Sequence, residues 1–408
     1  MLVKIALFLV LTFALFAASA PAYADGGARI SACIAALPET GGVCDFRNQG
    51  AMSAAATIVV NKPTTLLLDG TQLTLSGTPG MLIAADGVRI DGSVGQTQLV
   101  QGGTLGSTGS NRNVIYGSAL SDFKIEGVSF VGIPCGAPED NNDGIKLQNS
   151  VPGNIHRVRI VGNAFSGFCL HAIQIQNADD VTVEDNVVRG VADGIRFSGV
   201  TSGKIVNNVI RDTELPSAGA FAVAIGLDTT APQDDGISYP VSTDIHISRN
   251  TVCGYTNGEA VMIHAGENVL ISENVFDNVL LGIGINPFNS TDFLYHLTVT
   301  GNSYVGTTTP GALTTTGNYG VYVGGSPETL SPSYVVVTHN IISRANEIAR
   351  NAAEGGIAVG YADHVVVEGN VVHDSAFNGI YLRYSSREVI VRDNQISDIT
   401  RADRSGAN

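Results

Sequence analysis

Residues 143–163 read DGIKLQNSVPGNIHRVRIVGN, residues 171–186 HAIQIQNADDVTVEDN and residues 193–208 DGIRFSGVTSGKIVNN, three versions of one line. Near its start each has a Gly or Ala and an alternating apolar run: Gly144-Ile145-Lys146-Leu147, Ala172-Ile173-Gln174-Ile175 and Gly194-Ile195-Arg196-Phe197. A polar turn follows, then a second run rich in Val and Ile, then an Asn. Asn163 and Asn186 are 23 residues apart, Asn186 and Asn208 22. A fixed period in the twenties marks a solenoid, and period-2 alternation within it makes the repeating unit a set of strands.

The line recurs toward the end of the chain, closing on Asn274, Asn302, Asn340, Asn370 and Asn394, and Asn250 closes a longer turn that starts near Phe221. Upstream of Asp143 it is fainter, with Gly70, Gly92 and Gly127 near the Asn position. One line is one coil of a parallel β-helix, so inward residues form columns such as Ile145, Ile173, Ile195 and Leu147, Ile175, Phe197. A coil cannot bury its own apolar face, and stacking builds the core. The Asn column is structural: Asn tolerates left-handed backbone at a tight turn, and stacked amides bond up and down the stack. The repeat predicts roughly eleven or twelve coils in one elongated domain.

Charged residues make up 14% of the chain and Gly numbers 48, which suits a solenoid with many turns, while 44% apolar content excludes a disordered chain. Residues 1–24 are expected to be a secretory signal, with Lys4, an apolar core from Ile5 to Phe16, and Ala22-Tyr23-Ala24 before the cut. Its removal takes the formal charge from −15 to −16. So acidic a chain argues against nucleic acid as partner, and no later segment is long enough to span a membrane. The expected location is secreted, periplasmic or extracellular. Five cysteines in an exported chain imply disulfides: Cys33 with Cys44, Cys135 with Cys169, and Cys253 left over.

Residues 28–37, ARISACIAAL, read as a short amphipathic helix ending at Pro38 and covering the open end of the stack. This helix, then LPETGGVCDF, then TIVVNKPTTLLLDGTQLTLSG resembles the entry of right-handed parallel β-helix proteins of the pectin-lyase-like superfamily. The Asn-marked coils resemble that superfamily's generic repeats. The resemblance implies an all-β fold, a single-stranded right-handed parallel β-helix with an N-terminal capping helix. Residues 25–55 would form the cap, 56–400 the solenoid and 401–408 a tail. It also implies a carbohydrate-active or carbohydrate-binding protein, since the superfamily holds lyases, hydrolases, epimerases and non-catalytic surface proteins.

Insertions at 131–142, 211–220, 227–244, 286–293, 303–318, 324–333 and 341–355 all flank the first strand of a coil and would wall a groove along it. Outward residues on that strand form three columns. The opening one holds Asp143, His171, Asp193 and Glu259; the next Lys146, Gln174, Arg196, Ala224 and Met262; the third Gln148, Gln176, Ser198, Gly226, His264 and Asn286. The first chemical reading has Lys146 and Arg196 clasp a uronate carboxylate while His171 removes the adjacent proton, giving elimination or epimerisation. The second makes Asp143 and Asp193, two coils and about 10 Å apart, the acid and base of a hydrolase. Asn141-Asn142-Asp143-Gly144 resembles the Asn-x-Asp-Gly stretch of polygalacturonase-like hydrolases, whose later motifs are missing here. The third is a groove that binds polysaccharide without turning it over. Gln148, Gln174, Gln176, Glu259, His264 and Asn286 are the expected substrate contacts, and Tyr381, Arg383 and Tyr384 a sugar-stacking end. No Cys or His spacing indicates a metal; Glu139-Asp140-Asn141-Asn142-Asp143 offers oxygen ligands that would suit Ca²⁺.

Overall fold

A computed structural model describes residues 25–399 apart from 104–111, 134–141, 214–220, 232–235, 309–318, 327–328, 330, 346–354, 377 and 384. Each coil contributes an opening, a middle and a closing strand, and every pairing is parallel. The middle strands stack into a sheet of fourteen strands in thirteen layers, Leu120–Ser121 and Lys124–Glu126 sharing one layer. Closing strands run on into the next opening strand, as in Ala164–Gln176 and Val187–Ser198, so these two columns merge into one 23-stranded sheet. The additional layer lies at the start. Gly42–Asp45 pairs with Thr64–Leu67 and Gly50–Ala54 with Thr71–Leu75, so the solenoid begins inside the span read as cap.

The inward columns are as expected. Ile115, Ile145, Ile173, Ile195, Ile225 and Val261 lie in successive register and are all buried. Each contributes about 1.5–3 kcal/mol by leaving water. The helix spans Gly26–Ala36. The Asp25 carboxylate accepts the Ala28 N–H at 3.0 Å as its N-cap, and Ile30 and Ile34, one turn apart, face the first coil. Cys33 and Cys44 form a disulfide that pins this helix to the first coil. Cys253 is free. Cys169 is disulfide-bonded, and its expected partner Cys135 lies outside the described residues, as does the signal segment.

Nine asparagines, from Asn163 to Asn394, form one buried ladder. Each Nδ2 donates to the Oδ1 of the next coil's Asn, for example 3.0 Å from Asn186 to Asn208 and from Asn208 to Asn250. Each Asn backbone N–H donates to that same oxygen, and Nδ2 also reaches a carbonyl of the preceding coil. The left-handed backbone, however, is not at the ladder Asn. It belongs to the residue before: Gly162, Asp185, Asn207, Arg249, Glu273, Gly301, His339, Gly369 and Asp393 all have positive φ. The Asn is there for its amide alone.

Candidate functional site

The opening strands place their outward residues in three columns, and the register corrects two of them. Arg196 pairs with Gly226 and Gly226 with Met262, so Gly226 belongs to the column of Lys146 and Gln174. Asp228, whose N–H donates to Phe197 O, then follows Ser198 in the third column, and Ala224 faces the core. The run AVAIGL at 222–227 is apolar in either frame, which hid the two-residue slip. Aligning Ala224-Ile225-Gly226-Leu227 with Ala172-Ile173-Gln174-Ile175 would have revealed Asp228.

These columns carry a line of buried charge. Asp143 is fully buried, and its Oδ1 lies 2.9 Å from His171 Nδ1 and also accepts the His171 backbone N–H at 3.2 Å. A carboxylate only accepts, so Nδ1 is the donor in this contact. Nε2 points toward Asp193 Oδ2 at 3.6 Å, beyond a good hydrogen bond. Asp193 is fixed from its other side by the Val223 N–H at 2.8 Å and by Arg196 Nη1 at 3.1 Å. The second arm of Arg196 donates to Asp228, which also accepts from Ser198 Oγ at 3.3 Å. Burial works against the Arg196 charge, and the Asp228 and Asp193 carboxylates more than offset it, holding its pKa above the ordinary value. Gly226 makes this possible, because a Cβ there would lie 2.8 Å from Arg196 Cδ.

Lys146 differs from Arg196. It is 7% exposed, and among the described residues it makes neither an ion pair nor a hydrogen bond. Its column neighbour Gln174 is 6% exposed with a buried Oε1 that has no partner, and Asp143 Oδ2 is likewise unpartnered. A buried ammonium beside unmatched acceptors is costly unless something else occupies the site.

The remaining expected contacts divide. Gln148 Nε2 donates to the Tyr239 hydroxyl at 3.1 Å across 91 residues of sequence. Tyr239 is buried, and Pro240 packs on Gly199, so this strap borders the third column; Gln176 and Ser198, each 1% exposed, sit within the wall rather than on the floor. Asp292, fully buried, accepts from the N–H groups of Phe288, Asn289 and Thr230 and from the Thr229 hydroxyl, tying the 229–231 and 286–293 segments together. The sequence reading had passed over Asp292. His264 stacks on Phe288 with ring centroids 5.3 Å apart, while Asn286 is half-buried at the end of its strand. Burial holds the His264 pKa down to about 4, helped by Arg196 and opposed by Asp228 and Asp292. Glu259 is 3% exposed and meets the Tyr319 hydroxyl at 2.5 Å. Burial pushes its carboxyl up to about 8, against Tyr319 and Arg196, which both pull it down. Tyr381 shares the second column with Tyr322, and Tyr384 lies outside the described residues.

A separate cavity of about 510 Å³ lies on the middle sheet, lined by His296, Tyr334, Val336, His364, Val366 and Ile390 among others. None of the groove residues reaches it. For a cation, the described residues hold no group of three or more His, Cys, Asp or Glu side chains arranged as ligands. Of the acidic run considered for Ca²⁺, residues 139–141 lie outside the described residues. Asn142 spends its amide on Gln101, Ile133 and the Cys169 N–H.

Fold and coil register define a right-handed parallel β-helix protein. The sequence model described as "Right handed beta helix region" matches residues 311–406. That of "Periplasmic copper-binding protein (NosD)" matches residues 110–319, more than half of the chain, which therefore belongs to this family. The described residues do not fit copper: both His171 nitrogens face carboxylates, and no ligand cluster exists among them. No curated protein matches the chain. Among solved structures, the Streptococcus pneumoniae surface adhesin PfbA superposes with TM-score 0.61 at 14% identity, covering 94% of this chain and 92% of that one. A GH87 α-1,3-glucanase catalytic unit from Streptomyces thermodiastaticus gives 0.61 at 15% identity, 94% of this chain and 68% of that one; for a further GH87 catalytic domain the covered share is 63%. The A-module of the Azotobacter vinelandii mannuronan C-5 epimerase AlgE6 gives 0.53 at 14%, 93% and 97%. At such identities the likeness is one of fold. The disulfide and the family's periplasmic description place the chain outside the cytoplasm, and no described helix is long and apolar enough to cross a membrane.

Proposed function

We propose that the groove along the opening strands binds an acidic polysaccharide and removes the proton from the carbon that bears a uronate carboxylate. The observation that carries this reading is His171, oriented by buried Asp143, three residues before the column in which Lys146 stands without a partner. Lys146 pairs with the substrate carboxylate and steadies the negative charge that grows there as the C–H bond breaks. His171 Nε2 takes the proton, and the resulting imidazolium lies between Asp143 and Asp193. Arg196, held by Asp193 and Asp228, fixes the Asp193 carboxylate in place one coil beyond Gln174. If the bond to the leaving sugar oxygen then breaks and that oxygen takes up a proton, the outcome is elimination. If a proton returns to the opposite face of the same carbon, it is epimerisation. The hydrolase reading needs two carboxyls open to substrate and water, whereas Asp143 is fully buried against His171 and Asp193 is engaged by Arg196 and the Val223 N–H, which favours the first reading.

Incubating the protein with polyuronates in D₂O tests this. The expected result is deuterium at the carbon next to the carboxylate, or ultraviolet-absorbing unsaturated ends, and a loss of about 10²–10⁴-fold in His171→Gln. A protein that binds the polymer but yields neither signal is a binding protein, and the enzymatic reading falls. Detection in culture medium or only after outer-membrane disruption separates an extracellular from a periplasmic location.

A further inference from the structure

Charge is distributed unevenly along the floor. The opening strands at 142–148, 164–176 and 187–198 bring Lys146, His171 and Arg196. The next five, Ala222–Leu227, Gly258–Ile263, Leu281–Ile285, Val321–Gly324 and Ile357–Gly360, contain no Lys or Arg, and their one acidic residue is Glu259. In the column below Arg196 the residues are Gly226, Met262, Gly284 and Tyr322. A hexopyranose unit advances a glycan by about the depth of one coil, so a bound chain presents roughly one sugar per coil. Arg196 still lies over Gly226, but beyond it a uniform polyuronate lying along the groove would bring a carboxylate to each coil with no Lys or Arg on the opening strands to meet it.

What that half offers instead is apolar and neutral. The Tyr319 and Tyr322 rings lie 5.3 Å apart, beside the bare backbone of Gly284. Gly284 also makes room for the Glu259 carboxyl, whose Oε1 would be 1.9 Å from a Cβ there. Raised to about 8 by burial, that carboxyl is uncharged at neutral pH and presents no repelling charge to hydroxyl-bearing sugars. Tyrosine rings and small residues suit the CH face of a neutral pyranose.

We infer that the groove is built for a mixed-charge glycan, with a uronate held at Lys146 and uncharged sugars lying over the Met262–Gly284–Tyr322 floor. This deepens the uronate reading above and rests on it. Two substrates of equal length decide it: a homopolyuronate, and an oligosaccharide in which one uronate is followed by neutral hexoses. Isothermal titration reads affinity for the wild-type protein, and deuterium exchange reads turnover. The expected result is at least about tenfold tighter binding of the mixed glycan. Met262→Lys, a cation added to the neutral half, should narrow that gap by strengthening the homopolymer. Equal or tighter binding of the homopolymer by wild type overturns the inference while leaving the exchange chemistry standing. Absence of exchange with either glycan sinks the proposed reaction, and the affinity comparison still decides the partition of the groove.

Discussion

Two stacks in this solenoid follow opposite rules. The ladder from Asn163 to Asn394 repeats one residue in every coil, and each amide finds its partners within the protein. The outward stack through Asp143, His171, Asp193, Arg196 and Asp228 repeats nothing. It is buried at Asp143 and partly buried at Asp193 and Arg196, and beside it Asp143 Oδ2, Gln174 Oε1 and Lys146 have no partner among the described residues. Both use the same inter-coil spacing. The lesson is that in a repeat fold a column of identical residues reports what the stack needs, and a column of different ones reports what something else needs.

Breaking the first stack should have the largest effect. Asn208→Ala removes the acceptor for both the Asn186 N–H and its Nδ2, leaving a buried backbone donor unsatisfied. A loss of about 2–4 kcal/mol in urea unfolding is expected; a change within error would mean that the ladder is ornamental. Next comes Glu259. Its folded pKa of about 8 lies above the ordinary carboxylate value, so the fold favours its neutral form. That stability is present at low pH and lost as pH rises toward and through about 8, on the order of a few kcal/mol. Melting temperature should fall from pH 6 to 9 in wild type and fall less in Glu259→Gln. His264 acts with the opposite sign: its pKa near 4 favours the neutral imidazole. Its contribution is present above the ordinary imidazole value and lost as pH falls toward 4, so His264→Gln should flatten the acid side of the same curve. The smallest effect on stability sharpens the comparison most. Lys146→Met removes a buried cation with no partner, so unfolding free energy should stay level or rise slightly, within about 1 kcal/mol, while turnover of uronates disappears. A marked loss of stability would show that Lys146 is part of the scaffold.

The sequence made the scaffold readable because its information is periodic. Ile145, Ile173 and Ile195 sit where counting from Gly or Ala puts them, and the Asn marks the phase of each coil. Counting failed where two frames are equally apolar, at 222–227, and there Asp228 was lost. It also cannot reach contacts made across coils by segments of irregular length. Tyr239 meets Gln148 from 91 residues away, Tyr319 meets Glu259 from 60, and Asp292 gathers Thr229 from 63. His171 and its neighbours were readable as a group because all lie on the strand that sets the count. Their bonding was not, since two carboxylates flanking one imidazole depend on rotamers that no period encodes. The left-handed residue before each ladder Asn was missed because Gly, Asp, Arg, Glu and His all fill it.

The ladder has a direction as well as a repeat. After Asn163 each Oδ1 accepts from the preceding ladder Asn, and each Nδ2 before Asn394 donates one of its hydrogens to the following one, so the ladder's amides all point the same way along the axis. Hydrogen bonds in such a line polarise one another. The ladder is therefore polar, and a coil inserted upside down could not join it without breaking the line on both sides.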